Sequence, residues 1–385
     1  MPATSPTLHW DIFCNVIDNY GDIGVCWRLA RQLAAEFGFA VRLWVDDLSV
    51  FQRLCPEIRQ DQPEQRILGV NVRHWTKDFP DAAPGDIVVE AFACRLPECF
   101  EAAMAERTPK PVWINLDYLS AEAWVSGCHT LPSPHPQLPL TKYFFFPGLT
   151  EDTGGLLRER DLDERRQAFI TSPTAQRRFF EALGIPPSLP GTLQISLFSY
   201  ENQAVADLLS CWANGRRPVR CLAPLTQNRR QLEAFAGQTL CVGDSVQRGQ
   251  IEICIIPFIP QPEYDKLLWI CDVNFVRGED SFVRAQWAAK PMVWQIYPQE
   301  ENAHQAKLKA FLDTYCASLD EKLATIVQTL FMAWNGDSHL TIEESWEQWE
   351  SALPELQRHA EKWQKKLIKQ QDLCNRLVQF CRSKL

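Results

Sequence analysis

The sequence predicts an α/β protein made of two doubly wound parallel sheets. A chain of 385 residues is longer than one ordinary hydrophobic core organises, so two domains are expected. Short apolar runs typical of strands alternate with helical segments in both halves of the chain. The stretch Ile185-Pro-Pro-Ser-Leu-Pro-Gly191 interrupts this alternation with three prolines and a glycine, and we place the linker there.

The first half alternates strands and helices as a parallel sheet requires. An apolar run at 10–17 predicts the first strand, and apolar residues recur at helical spacing over 23–37. Further strands are predicted at 41–45, 70–75, 86–90, 111–116 and 143–146. Parallel strands joined in this way imply right-handed crossovers, and therefore a doubly wound sheet.

The same alternation begins again after the linker. Strands are predicted at 193–199, 218–223, 250–257, 273–276 and 291–297. Helices are predicted at 202–213, 228–236, 262–271, 280–288 and 302–315. Near the C-terminus, apolar residues recur at helical spacing, at Leu356, Ala360, Trp363, Leu367, Leu373, Leu377 and Phe380. An amphipathic helix of that length needs a partner surface.

The composition excludes several classes of protein. Hydrophobic residues at 46% and charged residues at 23% are values of a globular protein, not of a disordered one. A net charge of −9 disfavours a dedicated nucleic-acid binder. The start of the chain lacks the pattern of a secretory signal, and no apolar run approaches the ~20 residues that span a bilayer. We therefore expect a cytoplasmic protein with no nucleic-acid or membrane partner.

Cysteines and histidines give no sign of a metal site. The 14 cysteines are scattered through apolar segments without a CxxC pair, which is typical of buried free thiols. The seven histidines show no paired spacing. Asp161-Leu-Asp163 resembles a metal-binding DxD, but it lies in a highly charged run that is better interpreted as a solvated face. We expect no metal.

The strongest catalytic candidates are two carboxylates at the end of the first strand. Asp18 and Asp22 flank a short turn that contains Gly21 and leads directly into a helix. In open α/β sheets this edge is where ligands bind. The turn lacks the three glycines of a dinucleotide fingerprint, and Asp22 would repel an anion there. Turn formation and helix capping are the alternative roles for both residues.

A second group of candidates fits a nucleotide diphosphate. Phe258 could stack on a base, Gln261 offers an amide donor and acceptor to a pyrimidine edge, and the Tyr200 hydroxyl could reach a phosphate. Arg277-Gly-Glu-Asp-Ser281 lies between a strand and a helix, whose first amides favour an anion. The alternatives are a core position for Phe258, helix capping by Asp280 or Ser281, and a surface ion pair for Arg277.

These motifs resemble the EarP family, bacterial protein-arginine rhamnosyltransferases that modify elongation factor P. The resemblance covers nearly the whole chain and is most specific at Asp18-Asn-Tyr-Gly-Asp22-Ile-Gly, Phe258-Ile-Pro-Gln261 and Arg277-Gly-Glu-Asp-Ser281. It implies the GT-B glycosyltransferase architecture, in which two Rossmann-like domains face across a cleft. On this basis 1–186 is the acceptor domain and 187–365 the nucleotide-sugar domain. A last helix at about 366–385 then returns to the first domain.

The resemblance also implies the reaction and the residues that perform it. L-rhamnose passes from dTDP-β-L-rhamnose to an arginine side chain of elongation factor P, with inversion at the sugar. Asp22 is the implied base, Asp18 a second carboxylate that holds the guanidinium or the turn, and Glu279 a further acidic residue linked to activity. The implied donor-binding residues are Tyr200, Phe258, Gln261, Arg277, Asp280 and Ser281.

The carboxylate of Asp280 would repel phosphate, so we expect backbone N–H groups and the Ser281 hydroxyl to bind the diphosphate while that side chain faces elsewhere. Three other functions remain open from the residues. One is a GT-B enzyme with another nucleotide sugar or acceptor. The others are a Rossmann-type oxidoreductase, which the missing glycines disfavour, and a non-catalytic nucleotide-binding partner of a translation factor.

Overall fold

The computed structural model describes residues 7–18, 20–298, 303–336 and 341–385. The chain divides into two compact units. Unit 1 comprises Met1–Arg160 and Lys369–Leu385, and unit 2 comprises Asp161–Ile368. Each unit contains one sheet that is mostly parallel.

The sheet of unit 1 has eight strands in the order β3-β4-β2-β1-β5-β6-β8-β7. The strands are β1 His9–Cys14, β2 Ala40–Val45, β3 Glu64–Ile67, β4 Val70–His74, β5 Ile87–Ala91, β6 Val112–Leu116, β7 Pro132–Pro134 and β8 Thr141–Phe145. β1 pairs in parallel with both β2 and β5, so the strand order reverses beside β1. In doubly wound sheets, ligands bind outside the carboxyl ends of the strands at this reversal.

Four helices belong to the first segment of unit 1: α1 Gly21–Phe37, α2 Leu48–Leu54, α3 Glu98–Glu106 and α4 Trp124–Cys128. α1 packs its apolar stripe against the sheet and is capped after Phe37 by Gly38, whose φ of +68° suits a glycine. The first strand is shorter than predicted, because it ends at Cys14 and leaves 15–18 as an irregular turn before α1.

The sheet of unit 2 has six strands in the order β11-β12-β10-β9-β13-β14. The strands are β9 Leu193–Leu197, β10 Val219–Pro224, β11 Ser245–Arg248, β12 Ile251–Ile256, β13 Val273–Arg277 and β14 Met292–Gln295. β9 pairs in parallel with β10 and β13, so the strand order reverses here between β9 and β13. The loops that follow these two strands therefore form the predicted ligand edge of unit 2.

The helices of unit 2 are α5 Leu162–Ile170, α6 Pro173–Ala182, α7 Ala204–Asn214, α8 Arg229–Ala236, α9 Gln261–Ile270, α10 Asp280–Ala288, α11 Ala303–Cys316, α12 Glu321–Trp334, α13 Ile342–Ser351 and α14 Leu353–Ile368. Unit 2 begins at Asp161, earlier than the linker predicted at 185–191. The reason is that α5 packs on α9, where the rings of Phe169 and Trp269 lie 5.8 Å apart. These α5 and α6 residues therefore group with the second sheet.

The amphipathic segment near the C-terminus forms two helices, not one. α14 ends at Ile368, and α15 (Leu373–Arg382) begins after Asp372, whose side chain accepts a hydrogen bond from the Asn375 amide. α15 packs on α1 in unit 1, and the Gln32 side chain donates to Asp372 at 3.2 Å. The Leu373 N–H also donates to the Leu156 carbonyl at 3.0 Å. The end of the chain thus completes the first unit.

Among the residues that the structure describes, no helix combines the length and apolar character needed to cross a bilayer. The described part of the chain also holds no group of three or more His, Cys, Asp or Glu side chains arranged for a metal ion.

Candidate active site

The acidic turn of unit 1 is closed by the side chain of Asp22. This residue lies in the first turn of α1, and its Oδ2 accepts hydrogen bonds from the backbone N–H groups of Ile17 and Asp18, both at 2.8 Å. One carboxylate oxygen therefore fixes the backbone between β1 and α1. Asp22 was predicted either to form the turn or to act in catalysis, and its contacts show that it does stabilise the turn.

The second oxygen of Asp22 contacts a residue that was not predicted from the sequence. Tyr118 follows β6, and its hydroxyl donates to Asp22 Oδ1 at 3.1 Å. The Tyr118 ring stacks on Phe92, which follows β5, with ring centroids 4.4 Å apart and planes at 20°. The available signal was an Asp-Tyr pair directly after a buried strand, at the edge where ligands bind.

Asp22 is only 1% exposed, and this burial decides its electrostatics. Burial raises the pKa of its carboxyl above the ordinary value, and Asp46 raises that pKa further. The two backbone N–H groups and the Tyr118 hydroxyl oppose this rise by stabilising the charged form. A carboxylate with a raised pKa is a stronger base than an ordinary one.

Asp18 lies on the same turn and is 7% exposed. Its carbonyl accepts a hydrogen bond from the Gly21 N–H at 2.6 Å. A Cβ at Gly21 would lie 2.5 Å from Asp18 Oδ2, so any larger residue would displace that carboxylate. Glycine at this position therefore leaves room for the Asp18 carboxylate beside the turn.

In unit 2 the most distinctive group is the side chain of Arg277 at the end of β13. Its guanidinium carbon lies 4.4 Å from the ring centre of Phe198 and 4.5 Å from that of Tyr200, both in the loop after β9. Its Nη1 donates to Gln227 Oε1 at 2.6 Å and to the Ser199 carbonyl at 3.4 Å. Phe198 and Gln227 were not predicted from the sequence, and the sheet topology brings them here from two other loops.

The remaining predicted donor-binding residues lie around the start of α10. Ser281 donates to the Arg277 carbonyl, and its Oγ accepts from the Arg277 N–H at 3.1 Å, so this hydroxyl ties the turn together. Gln261 is 1% exposed and its amide donates to Asp280 Oδ2 at 3.2 Å. The Asp280 side chain is thus directed to Gln261.

Two other predicted residues near this turn, Glu279 and Phe258, are only partly buried. Glu279 immediately precedes α10, and its carbonyl accepts from the Val283 N–H at 2.9 Å. Phe258 lies half-buried in the loop between β12 and α9. Both are at the carboxyl edge of the sheet, where the first amides of α10 create a positive local potential.

Known proteins resemble this chain over nearly its whole length. The family model described as elongation factor P rhamnosyltransferase EarP matches residues 10–382. A protein-arginine rhamnosyltransferase of Pseudomonas putida is 49% identical over 377 residues, with 98% of this chain and 99% of the relative covered. A rhamnosyltransferase of the same name from Neisseria meningitidis serogroup B is 38% identical over 391 residues, with 98% and 97% covered.

Solved structures are similar over the same length. One, described as the structural basis for EarP-mediated arginine glycosylation of elongation factor EF-P, matches with a TM-score of 0.69 at 35% identity and covers 98% of this chain and 100% of that one. A glycosyltransferase of Rickettsia africae matches with a TM-score of 0.53 at 9% identity, with 98% and 99% covered, which speaks to the fold alone. The α/β class and GT-B architecture predicted from the sequence are confirmed.

Proposed function

From the premise that this chain belongs to the EarP family of rhamnosyltransferases, we propose that it transfers L-rhamnose from dTDP-β-L-rhamnose to an arginine of elongation factor P, with inversion. The supporting observation is the chemistry at the two ligand edges. Unit 1 contains two neighbouring carboxylates, which suit a guanidinium acceptor, and unit 2 contains an arginine in contact with two aromatic rings, which suits a nucleotide diphosphate. A cytoplasmic location is part of this proposal.

In this proposal unit 2 binds the sugar nucleotide. Arg277 supplies a positive charge beside the first amides of α10, and together these stabilise the diphosphate as it departs. Phe258 stacks on the base, and Tyr200, Gln261, Asp280 and Ser281 shape the rest of the pocket. Arginine and helix amides can carry the charge of the leaving group, so the proposal requires no metal.

Unit 1 activates the acceptor. The pKa of a free guanidinium exceeds ~12, so prior removal of its proton by a carboxylate is steeply unfavourable. Proton transfer must therefore accompany bond formation. The guanidinium nitrogen forms a bond to the anomeric carbon while the bond from that carbon to the diphosphate oxygen breaks. The diphosphate leaves with the electron pair, and Asp22 takes the proton.

The other acidic residues assist this step. Asp18 holds the guanidinium by charge-assisted hydrogen bonds. Glu279 is a further acidic residue on which activity depends. The burial of Asp22 defines an alternative, in which its carboxylate only closes the turn and Asp18 takes the proton. In that alternative an Asp22→Asn enzyme stays active, whereas an Asp18→Asn enzyme does not.

The proposed function is tested by intact-mass analysis of elongation factor P after incubation with this protein and dTDP-β-L-rhamnose. We expect a mass increase of one deoxyhexose on one arginine, and an acceptor with lysine at that arginine should remain unmodified. Transfer from a UDP- or GDP-sugar, and not from dTDP-β-L-rhamnose, would show that the proposed donor is wrong. Binding of dTDP without any transfer would point to a non-catalytic partner of the translation factor.

Replacing Arg277 with lysine is expected to weaken dTDP binding by about 10 to 100 times, or about 1.4–2.7 kcal/mol. Lysine keeps the charge but loses the planar guanidinium that contacts the rings of Phe198 and Tyr200. Isothermal titration with dTDP measures the effect, and Arg230→Lys on the exposed face of α8 is the matched control. Equal affinity of Arg277→Lys and wild type would remove Arg277 from the donor site.

A further inference from the structure

Tyr118 donates a hydrogen bond to the oxygen of Asp22 that accepts neither of the two backbone hydrogen bonds. Asp22 Oδ2 is occupied by two backbone N–H groups, whereas Oδ1 accepts from the Tyr118 hydroxyl at 3.1 Å. We propose that Tyr118 is a positioning residue of the transfer reaction, and that its hydroxyl orients Asp22 Oδ1 toward the guanidinium proton. This inference rests on the proposed function, because it assumes that Asp22 is the base.

The loop after β6 fixes Tyr118 from its own side. The Tyr118 N–H donates to Asp117 Oδ1 at 2.8 Å. The second oxygen of Asp117 accepts from the Asn115 side chain at 3.2 Å, and Asn115 lies within the buried strand. This chain of contacts anchors the tyrosine backbone to the sheet, so its hydroxyl position is set by a rigid element.

The loop after β5 fixes the Tyr118 ring. Phe92, which stacks on it, has a φ of +56°, and Ala93 and Arg95 have φ values of +53° and +54°. Left-handed backbone is unfavourable for residues with a Cβ, and such conformations cluster at functional sites. The Phe92 N–H donates to the Leu116 carbonyl at 2.7 Å, which ties this loop to β6. The left-handed backbone of this loop therefore places the Phe92 ring against the Tyr118 ring.

The charged and titratable groups around Asp22 set the sign of the effect. Asp46 follows β2 and raises the pKa of Asp22, and Asp18 lies on the same turn. The Cys14 thiol at the end of β1 also interacts with Asp22, and burial raises the pKa of that thiol, which keeps it neutral. The Tyr118 hydroxyl lowers the pKa of Asp22, so its removal must raise that pKa.

The direct test is the Tyr118→Phe variant, which loses the hydroxyl but keeps the ring that stacks on Phe92. We expect kcat on elongation factor P to fall about tenfold, as for the loss of one hydrogen bond to a charged group. The acidic limb of the pH profile of kcat/KM should move to higher pH, since the base must be ionised to act. KM for dTDP-β-L-rhamnose should not change.

Two further variants keep the test decisive. Phe92→Leu retains the hydroxyl but removes the stacking, and should lower kcat and shift the same limb by a smaller amount. Tyr143→Phe on β8, whose ring contacts Phe380, is the control and should match wild type in both readouts. The inference is overturned if the wild-type enzyme is active and Tyr118→Phe has the same kcat and the same acidic limb in its pH profile of kcat/KM. A wild-type enzyme that leaves elongation factor P unmodified overturns the proposed function instead.

Discussion

Replacing Asp22 with asparagine is expected to lower kcat by about 10³-fold, within the range that a general base contributes. Asparagine has nearly the same shape, and its carbonyl oxygen can still accept from the Ile17 and Asp18 amides that the carboxylate holds at 2.8 Å. Asparagine has no basicity, so in the proposed reaction the guanidinium proton then has no acceptor. The rate of deoxyhexose transfer to elongation factor P measures the effect.

The same variant should keep its thermal stability, which separates catalysis from folding. Burial raises the pKa of Asp22 in the folded state above the unfolded value. The folded state therefore binds this proton more tightly, and the ionised carboxylate opposes folding once the pH exceeds the folded pKa. Asparagine removes that unfavourable charge, so Tm at neutral pH should not fall.

An exposed carboxylate provides the control for Asp22→Asn. Asp61 lies on the surface of unit 1 in an open ion pair with Arg59, and Asp61→Asn should retain wild-type kcat and Tm. Near-normal turnover by Asp22→Asn would remove Asp22 as the base. A large loss of Tm with a modest loss of kcat in Asp22→Asn would instead show that the Asp22 carboxylate mainly stabilises the turn.

Replacing Arg284 with methionine is expected to destabilise the protein by about 3–5 kcal/mol, as when one partner of a buried ion pair is removed. Arg284 on α10 donates from Nε and Nη2 to the two oxygens of Asp265 on α9, at 2.8 and 2.7 Å. Their side chains are 1% and 2% exposed. The variant leaves the Asp265 carboxylate buried without its guanidinium, and denaturant unfolding measures the loss.

Two comparisons give this result its meaning. The double variant Arg284→Met with Asp265→Leu removes both charges and should recover much of the lost stability. Lys309→Met breaks the ion pair with Asp313 on α11, whose side chains are 73% and 55% exposed, and should change stability by less than about 1 kcal/mol. Equal effects of Arg284→Met and Lys309→Met would contradict the importance assigned to burial.

The central strands of both sheets could be predicted because they are continuous apolar runs. β1, β5 and β6 are buried on both faces, and the same holds for β9 and β13. The edge strands β3, β7 and β11 were missed. They are short and mostly polar or proline-containing, and each pairs with one antiparallel neighbour, so neither periodicity nor apolar content marks them.

The division of the chain depends on contacts that a sequence pattern does not contain. The prolines at 185–191 correctly mark a break between helical and strand segments. They do not show that α5 packs on α9 and groups with unit 2. Helical periodicity likewise continues across residues 369–372, although the chain breaks there into α14 and α15.

The candidate site was predictable where its residues lie close together in the sequence. Asp18 and Asp22 share one turn, and so do Arg277 and Ser281. Tyr118, Phe92 and Gln227 come from separate loops, and the parallel topology brings each beside its partner. The burial of Asp22 follows from these long-range contacts, so no local pattern could reveal it.

The completion of unit 1 by α15 governs the order in which a nascent chain can mature on the ribosome. Unit 2 is fully synthesised before Leu373 and the rest of α15 emerge to pack on α1. Domains generally fold as units and in order of synthesis, but here unit 1 includes α15, which is synthesised after unit 2. The scaffold under the acidic turn is therefore complete only after α15 has been synthesised, so a polypeptide stopped before Leu373 lacks the helix that packs on α1.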